Sequence, residues 1–296
     1  MAQETLDFTL SLIPFLMSTL RVAVPLIFAA YGGLLSERSG IIQIALEGFM
    51  LMGALSAAIV THYTGSPWFG VLAAALTGVL FAGLKGFFVL SLKVDQIIAG
   101  TAINLLAFGV APFVTKVLFD SSGSTPSLPL ESRFSVAPIY FAGALTIGIS
   151  FWYYKTRSGL AVQFAGEAPQ ALEVAGTSVL KTRWLALLSC GALAAVGGST
   201  LSVYLSSAYS PNMTGGRGFI ALAALIFGRW KPLPTLLACL FFGFTDALQI
   251  RLQGVSSAVP VQFVQILPYL FTVIALAGFF GQSRPPKALG QTMNRG

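Results

Sequence analysis

Charged side chains are scarce in this sequence. Its 296 residues include 17 Lys and Arg and 10 Asp and Glu, which is 9% of the chain, whereas a soluble domain carries about 25%. Hydrophobic residues make up 55%, and the mean hydropathy is +0.81. So few charges cannot cover a water-facing surface, which excludes a soluble enzyme, a nucleic-acid-binding protein and a disordered scaffold. The sequence therefore predicts an integral membrane protein, in which the net charge of +7 reports topology rather than affinity for nucleic acid.

Cysteine and histidine are almost absent as well. Cys190 and Cys239 are the two cysteines, and both lie in apolar runs, so we expect small core residues and no disulfide. His62 is the single histidine, which excludes a zinc or haem site built on histidine clusters. The chain also lacks the Gly-x-x-x-x-Gly-Lys-Ser/Thr loop that holds phosphates. We therefore expect no metal and no cofactor here, and an ATP-driven process would need its nucleotide on another chain.

Long apolar runs dominate what is present. A helix needs about 20 apolar residues to cross a bilayer, and eight runs meet or nearly meet that length. They are approximately residues 12–34, 41–61, 68–92, 97–119, 134–154, 184–206, 233–250 and 261–280. With the short run 218–228 as a ninth, the pattern predicts an all-α fold, a polytopic membrane bundle of about 8–9 segments with broken helices. No linker divides the chain, so residues 1–296 are expected to form a single transmembrane domain.

The basic residues orient these segments, because Lys and Arg favour the cytoplasmic side. Placing the long basic loop 155–183 inside puts the acidic N-terminus outside, the C-terminus inside and the Ser- and Pro-rich loop 120–133 outside. Within the inner loop, Pro169 fits the first turn of a helix and Gly176 its end. A plain loop has the same composition, but a short surface helix there is suited to dock a soluble partner.

The run 218–228 is too short to span, because its residues rise only about 16 Å at 1.5 Å each. One interpretation is a full helix whose ends have been missed, and the other is a half-membrane helix that begins at Gly215-Gly216-Arg217-Gly218. The glycines favour the second interpretation, since they disfavour a continuous helix above it. We then expect its N-terminal N–H groups to point into the middle of the protein, where they suit a neutral, oxygen-rich cargo.

Some ionisable residues lie well inside the predicted segments, where a charge at a helix centre costs roughly 2.5–3.5 kcal/mol, so each needs a partner or water. Arg21, Arg217 and Asp246 are placed in an upper layer, and Glu47 and Asn104 in a lower one. Asp246 or water is expected to hold Arg217. Alternatively, Arg21 pairs with Asp246 as a purely structural contact, or it snorkels. The functional interpretation is a wet path lined by these groups.

Small residues are frequent in the spans, and they allow helices to approach closely in lipid. Most are expected to serve packing. They are Gly78, Gly83, Gly86, Gly191, Ala194, Ala195, Gly197 and Gly198. Lys85, by contrast, falls near the inner end of a span, where snorkelling to the surface is the expected arrangement.

Several motifs occur in a fixed order along residues 20–290. They are Ser36-Glu37-Arg38-Ser39-Gly40, Ala45-Leu46-Glu47-Gly48-Phe49-Met50, Gly166-Glu167-x-Pro169-Gln170-Ala171, Gly215-Gly216-Arg217-Gly218-Phe219-Ile220-Ala221-Leu222, Phe227-Gly228-Arg229-Trp230-x-Pro232, Leu267-Pro268-Tyr269 and Pro285-Pro286-x-Ala288-Leu289-Gly290. Together they resemble the permease subunits of ABC importers for nucleosides, within a wider family that also moves simple sugars and, more distantly, branched-chain amino acids. The departures are Gln43 and Ala168, where that family often has Asn.

This resemblance implies a transporter subunit rather than an enzyme, placed as a multi-pass protein in the bacterial cytoplasmic (inner) membrane. It implies four partners besides the lipid bilayer: a second related permease subunit, an ABC ATPase subunit that binds ATP, an extracytoplasmic substrate-binding protein and a nucleoside substrate. It makes 166–176 the coupling helix to the ATPase, with Gly166, Glu167, Pro169, Gln170, Ala171, Glu173 and Gly176 as the coupling residues. It places the segments around Glu47, Asn104 and Arg217 in the translocation path. Together with the charges inside the spans, this predicts as path residues Arg21, Gln43, Glu47, Asn104, Arg217, Phe219 and Asp246.

Three other functions stay open at this stage. A permease for simple sugars would share the same motifs. An ion- or proton-coupled secondary carrier would use Glu47 or Asp246 as its proton site, but it needs no docking loop, so residues 155–183 argue against it. A membrane-embedded enzyme finds no support, since neither clustered His or Cys nor paired carboxylates occur.

Overall fold

A computed structural model describes residues 2–121, 123–255 and 284–291, and the regular structure in this part of the chain is helical throughout. Its α-helices are α1 (Ala2–Arg38), α2 (Leu46–Thr64), α3 (Pro67–Gly86), α4 (Gln96–Phe119), α5 (Ala137–Lys155), α6 (Arg157–Glu167), α7 (Pro169–Val174), α8 (Val179–Thr200), α9 (Arg217–Phe227) and α10 (Pro232–Val255). π-helical turns follow α3 at Phe87–Ser91 and α8 at Leu201–Leu205, and a 3₁₀ turn lies at Leu130–Ser132. The predicted all-α class is confirmed.

Seven helical stretches are long and apolar enough to cross a membrane. They are Leu12–Arg38, Leu46–Thr64, Pro67–Ser91, Gln96–Phe119, Leu130–Lys155, Val179–Leu205 and Pro232–Leu252. Each corresponds to one of the predicted runs, which confirms a multi-pass helical membrane protein. The eighth predicted run, 261–280, lies outside the described residues. The described part of the chain therefore gives seven spans, and the predicted total of 8–9 segments is not reached within it.

The short run forms a helix of its own, α9, with 11 residues. Residues 206–216 before it are non-helical, and its N-cap, Gly216, has a left-handed φ of 83° that favours glycine. The prediction of a separate short helix is confirmed, and the alternative of a full helix with missed ends is wrong. α9 packs among α1, α2 and α10, inside the bundle.

α8 occupies the centre of the bundle and packs against α1, α2 and α3. Small residues let these backbones approach closely, as expected for helices that associate in lipid. A Cβ added at Gly198 would overlap the carbonyl oxygen of Met50 in α2, and Gly78 and Gly191 face each other's backbones in the same way. The predicted packing role is therefore confirmed for these three glycines.

The long inner loop folds into two helices. α7 begins at Pro169, and Gly176 follows it with a left-handed φ of 79°, as predicted. α6 was not expected, although its signal is present: the side-chain oxygen of Thr156 accepts a hydrogen bond from the N–H of Gly159 at 3.0 Å, which caps the helix start. We call the end of the molecule that carries α6 and α7 the inner end.

The Ser- and Pro-rich loop 120–133 lies at the opposite end, which we call the outer end. It is irregular, as predicted, apart from its 3₁₀ turn. Backbone hydrogen bonds fasten it to the segment that follows α8: Thr125 N–H donates to the Tyr209 carbonyl at 3.1 Å, and Leu128 N–H donates to the Ser207 carbonyl at 2.6 Å. The loop is thus a fixed cap over the outer end of α8.

Candidate functional site: a half-membrane helix held at both ends

Glu47 lies where the first turns of α2 and α9 meet. One carboxylate oxygen accepts a hydrogen bond from the N–H of Gly216 at 2.8 Å, and the other accepts from the N–H of Gly218 at 2.7 Å. The residue is 1% exposed. A helix N-terminus carries a partial positive charge, so a carboxylate between two of them is electrostatically well placed. Glu47 therefore caps α9 from the first turn of α2.

This contact corrects the expectation that the N-terminal N–H groups of α9 are open to cargo. Glu47 takes two of them. The N–H of Arg217 donates to the Thr214 carbonyl, and the N–H of Phe219 donates to the Gly216 carbonyl, each at 2.9 Å. The donors at this helix start are thus used within the chain, because a carboxylate from a neighbouring helix reaches them, which no sequence spacing reveals.

Asn104 supports the same point from α4. Its side-chain oxygen accepts from the N–H of Gly48 at 2.8 Å, and its side-chain nitrogen donates to the Ile44 carbonyl at 3.0 Å. Residues 39–45 between α1 and α2 are non-helical, so their backbone groups need partners inside lipid. Asn104 supplies one of these partners, at Ile44, and binds Gly48 in the first turn of α2, so it fixes the start of α2 and with it the position of Glu47.

Gln43 and Lys85 complete a buried polar cluster below Glu47. Lys85 is 0% exposed, and its ammonium donates to the Ile42 carbonyl at 2.7 Å and to the side-chain oxygen of Gln43. The amide of Gln43 donates in turn to the sulfur of Cys190 at 3.0 Å. The prediction that Lys85 snorkels is wrong, because the non-helical segment before α2 presents acceptors to it inside the bundle. Cys190 is buried, as expected.

Arg217 is held differently from the expectation. One terminal nitrogen of its guanidinium donates to the carbonyls of Met213 at 3.3 Å and Thr214 at 3.4 Å, while its Nε is buried without a partner among the described residues. Asp246 lies close enough for the two charges to interact, but no ion pair joins them in the described part of the chain. The expected direct hold by Asp246 is therefore absent.

Arg21 lies near the outer end of the same region. Its guanidinium is 5.3 Å from the ring centroid of Tyr204, and no ion pair with Asp246 occurs among the described residues, so the alternative of a structural Arg21–Asp246 pair is wrong. Beside it lies a cavity of about 530 Å³ between α1 and α10, a volume typical of small-molecule sites. Its lining includes Phe15, Ser18, Arg21, Leu205, Ala247 and Arg251.

The coupling residues predicted in 166–176 differ in how exposed they are. Gln170, Ala171, Glu173 and Gly176 are exposed on and beside α7, and Val174 between them is 91% exposed. Gly166 is buried, and its carbonyl accepts a hydrogen bond from the N–H of Ala288 at 2.7 Å, so the C-terminal segment docks against the end of α6. Pro169 is half-buried at the start of α7.

Glu167 points toward the protein rather than away from it. Its carboxylate pairs with the guanidinium of Arg38, the last residue of α1, at 3.2 Å. Nothing in the spacing of 166–176 predicts this contact, although Arg38 belongs to an early motif of the chain. Phe219, on α9, is exposed.

Comparison with known proteins identifies the family. Residues 15–276 match the family described as the branched-chain amino acid transport system / permease component. The chain is 33% identical to the guanosine ABC transporter permease protein NupQ of Bacillus subtilis, over 92% of this chain and 94% of that protein. It is 35% identical to the nucleoside ABC transporter permease protein NupC of Lactococcus lactis, over 90% and 92% of the two chains.

A third relative has a different printed cargo. The putative glucose ABC transporter permease protein TsgC13 of Haloferax volcanii is 31% identical, over 95% of this chain and 97% of that protein. No solved structure matches the chain. With seven apolar helices long enough to span and a family match over most of its length, the chain belongs to the ABC importer permeases of the branched-chain amino acid transport system family, a multi-pass transporter subunit and not itself an enzyme.

Proposed function

We propose that this chain is the permease subunit of an ATP-driven importer whose cargo is a nucleoside. The observation that carries the proposal is the likeness, over at least 90% of this chain, to two permeases named for guanosine and nucleoside transport. A nucleoside is neutral and rich in hydrogen-bonding groups, so its path needs donors and acceptors but no fixed counter-ion. The cavity beside Arg21 offers such donors in a volume of suitable size.

In this proposal, one group of residues lines the translocation path and a second group holds the first in position. Arg21, Arg217, Phe219 and Asp246 line it. Glu47, Asn104 and Gln43 position it without meeting cargo, because their polar atoms already bind neighbouring backbone or side-chain groups and they are buried. The geometry supports this division, since α9 and the start of α2 are locked to each other through Glu47.

The proposed partners follow from the family and from the inner surface. The exposed face of α7, with Gln170, Ala171 and Glu173, is the docking surface for an ABC ATPase that carries both nucleotide sites. A second related permease subunit pairs with this chain, and an extracytoplasmic binding protein delivers the cargo.

Uptake of labelled guanosine tests the cargo. Cells that lack this chain are compared with cells that regain it, and unlabelled adenosine, uridine and glucose compete in separate assays. We expect ATP-dependent guanosine uptake only with the chain present, with competition by nucleosides and none by glucose. Inhibition of uptake by glucose, or glucose uptake in place of guanosine uptake, would favour the sugar permease instead.

The cavity is tested by Arg21→Ala. Loss of hydrogen bonds to a charged group costs about 1.5–3 kcal/mol, so nucleoside uptake is expected to fall about tenfold or more at equal expression. Lys116→Ala is the control, because Lys116 is an exposed cation at the outer end of α4 that pairs with Asp120. Equal uptake by the two variants would remove Arg21 from the path.

A further inference from the structure

The inner end of α1 joins three parts of the molecule through two consecutive residues. Arg38 donates from Nε to the Trp230 carbonyl at 2.7 Å and from a terminal nitrogen to the carboxylate of Glu167 at 3.2 Å. Its neighbour Glu37 accepts a hydrogen bond from the indole N–H of Trp230 at 2.6 Å. Trp230 is 4% exposed and Glu37 3% exposed, so the contact between them is sealed from solvent. The Arg38–Glu167 pair lies nearer the surface, with the Glu167 side chain 40% exposed.

The contacts of Glu37 and Arg38 with Trp230 and Glu167 are called the joint below. Trp230 connects the joint to the half-membrane helix α9. Trp230 lies three residues beyond the end of α9. Its backbone N–H donates to the carbonyl of Leu225 within that helix at 3.2 Å. Arg229 and Trp230 both have a φ of 52°, so a short, tight left-handed turn connects α9 to α10. A displacement of Trp230 is therefore passed directly to α9.

Glu167 connects the same joint to the coupling segment. It is the last residue of α6, and α7 begins two residues later. The backbone of Gly166 packs so closely on the end of α1 that a Cβ there would overlap the Arg38 carbonyl. Arg183 strengthens the contact by donating to the Ser39 carbonyl at 3.0 Å and the Ala165 carbonyl at 3.4 Å.

We infer that Arg38 is the positioning residue through which movement of the coupling segment reaches α9. This inference rests on the proposed docking of an ATPase at α7. The planar guanidinium holds two partners in a fixed geometry, which the single ammonium of lysine cannot do. When the ATPase displaces α7, Glu167 pulls on Arg38 and Arg38 pulls on Trp230. α9 then moves at its inner end while Glu47 holds its outer end to α2.

The first test measures cargo moved per ATP hydrolysed by the complete transporter in proteoliposomes, with guanosine as cargo. The variants are Arg38→Lys, Glu167→Gln and the double variant, and Lys181→Gln is the control because Lys181 is an exposed cation at the same end. Energetic coupling between sites is typically worth 5–150-fold. We expect the ratio to fall about fivefold or more in Arg38→Lys and to stay unchanged in the control. Because both residues act in one chain of contacts, the double variant should be no worse than Arg38→Lys.

The second test needs no cargo. The variant Phe219→Cys, on the exposed side of α9, is labelled with a thiol reagent in the assembled complex with and without ATP. The native Cys190 and Cys239 are buried. We expect ATP to change the labelling rate in the otherwise unchanged chain and to lose this effect in Arg38→Lys. Glu167→Gln gives a second reading if Arg38→Lys fails to assemble.

The outcomes separate this inference from the proposed cargo. An unchanged transport ratio and an unchanged ATP effect on labelling in both single variants would overturn the inference, even if guanosine is imported. Loss of the ATP effect in Arg38→Lys, together with no guanosine transport by the unaltered complex, would support the joint and refute the cargo. An additive loss in the double variant would also overturn it, since it would mean two independent contacts.

Discussion

At the scale of single residues, charge inside the bundle is placed against backbone rather than against opposite charge. Glu47 accepts from two backbone N–H groups, and Lys85 and Arg217 donate to backbone carbonyls. In lipid, non-helical backbone needs internal partners, and these residues supply them where α2 and α9 begin. Their charges therefore hold broken helices in place.

The cap on α9 is tested by Glu47→Gln. The amide keeps one acceptor but loses the charge and presents an N–H₂ group to a backbone N–H, so one buried donor is left unpaired. Such a group costs about 1–3 kcal/mol, and we expect the free energy of unfolding in detergent to fall by that amount. Glu131→Gln, at the exposed outer turn, is the matched control. Equal stability of the two variants would contradict the cap.

The buried lysine makes a second prediction. Lys85→Met keeps the length of the side chain but leaves the Ile42 carbonyl and the Gln43 amide oxygen without their donor. We expect a loss of about 1–3 kcal/mol for each buried group left unpaired, measured by thermal unfolding. Lys93→Met, at an exposed lysine after the same span, should have no effect. A snorkelling Lys85 would give two variants of equal stability.

At the scale of elements, the arrangement depends on how closely α8 approaches its neighbours. α8 packs against α1, α2 and α3, and small residues remove the side chains that would hold the backbones apart. This close packing fixes α2, and through Glu47 it fixes α9. The position of the half-membrane helix thus depends on glycines in α3 and α8, neither of which contains Glu47 or α9.

Alanine substitution separates the packed glycines from the open ones. Gly198→Ala places a Cβ against the Met50 carbonyl, whereas a Cβ at Gly143 in α5 meets no atom within 4 Å. Overpacking costs about 1–3 kcal/mol, and a clash with backbone cannot be relieved by a side-chain rotation, so the loss for Gly198→Ala is expected at the upper end. The measurement is the unfolding temperature and the folded yield in detergent. Similar values for both variants would show that α2 and α8 are not in close contact.

At the scale of the whole molecule, the contacts divide the chain into two ends. α6, α7, the turn at Trp230 and residues 286–291 meet at the inner end, while loop 120–133 covers the outer end. From the basic loop 155–183 we expect the inner end to face the cytoplasm. The segments that the sequence predicts on the cytoplasmic side are therefore the ones that contact one another at the inner end.

Cysteine labelling tests this orientation. With the two native cysteines buried, Val174→Cys and Leu130→Cys each offer one exposed thiol, since these side chains are 91% and 81% exposed. An impermeant reagent added to intact cells should label position 130 and leave position 174 unlabelled until the membrane is opened. Labelling of position 174 in intact cells would reverse the topology.

The sequence by itself determined that the chain lies in lipid, which segments span the membrane and which family the chain belongs to. Scarcity of charge required lipid, runs of about 20 apolar residues gave the seven described spans, and the glycines before Arg217 placed the break above α9. These properties depend on composition and on neighbours along the chain, so they can be read without a structure. The motifs around Glu47, Glu167 and Arg217 likewise singled out these residues as candidates without showing what they contact.

Only the tertiary structure decided what those residues touch. Glu47 and Gly216 are separated by 169 positions, Arg38 and Glu167 by 129, and Glu37 and Trp230 by 193. Depth along a helix cannot predict such pairs, since it says nothing of which face a side chain lies on or which helix is adjacent. Depth matched Arg217 to Asp246, and the two do lie near each other, but it did not predict that Arg217 binds backbone carbonyls instead of forming an ion pair. Depth also placed Lys85 at the surface, and that expectation was wrong. A broken backbone inside lipid binds the nearest polar side chain, and helix packing determines which one that is.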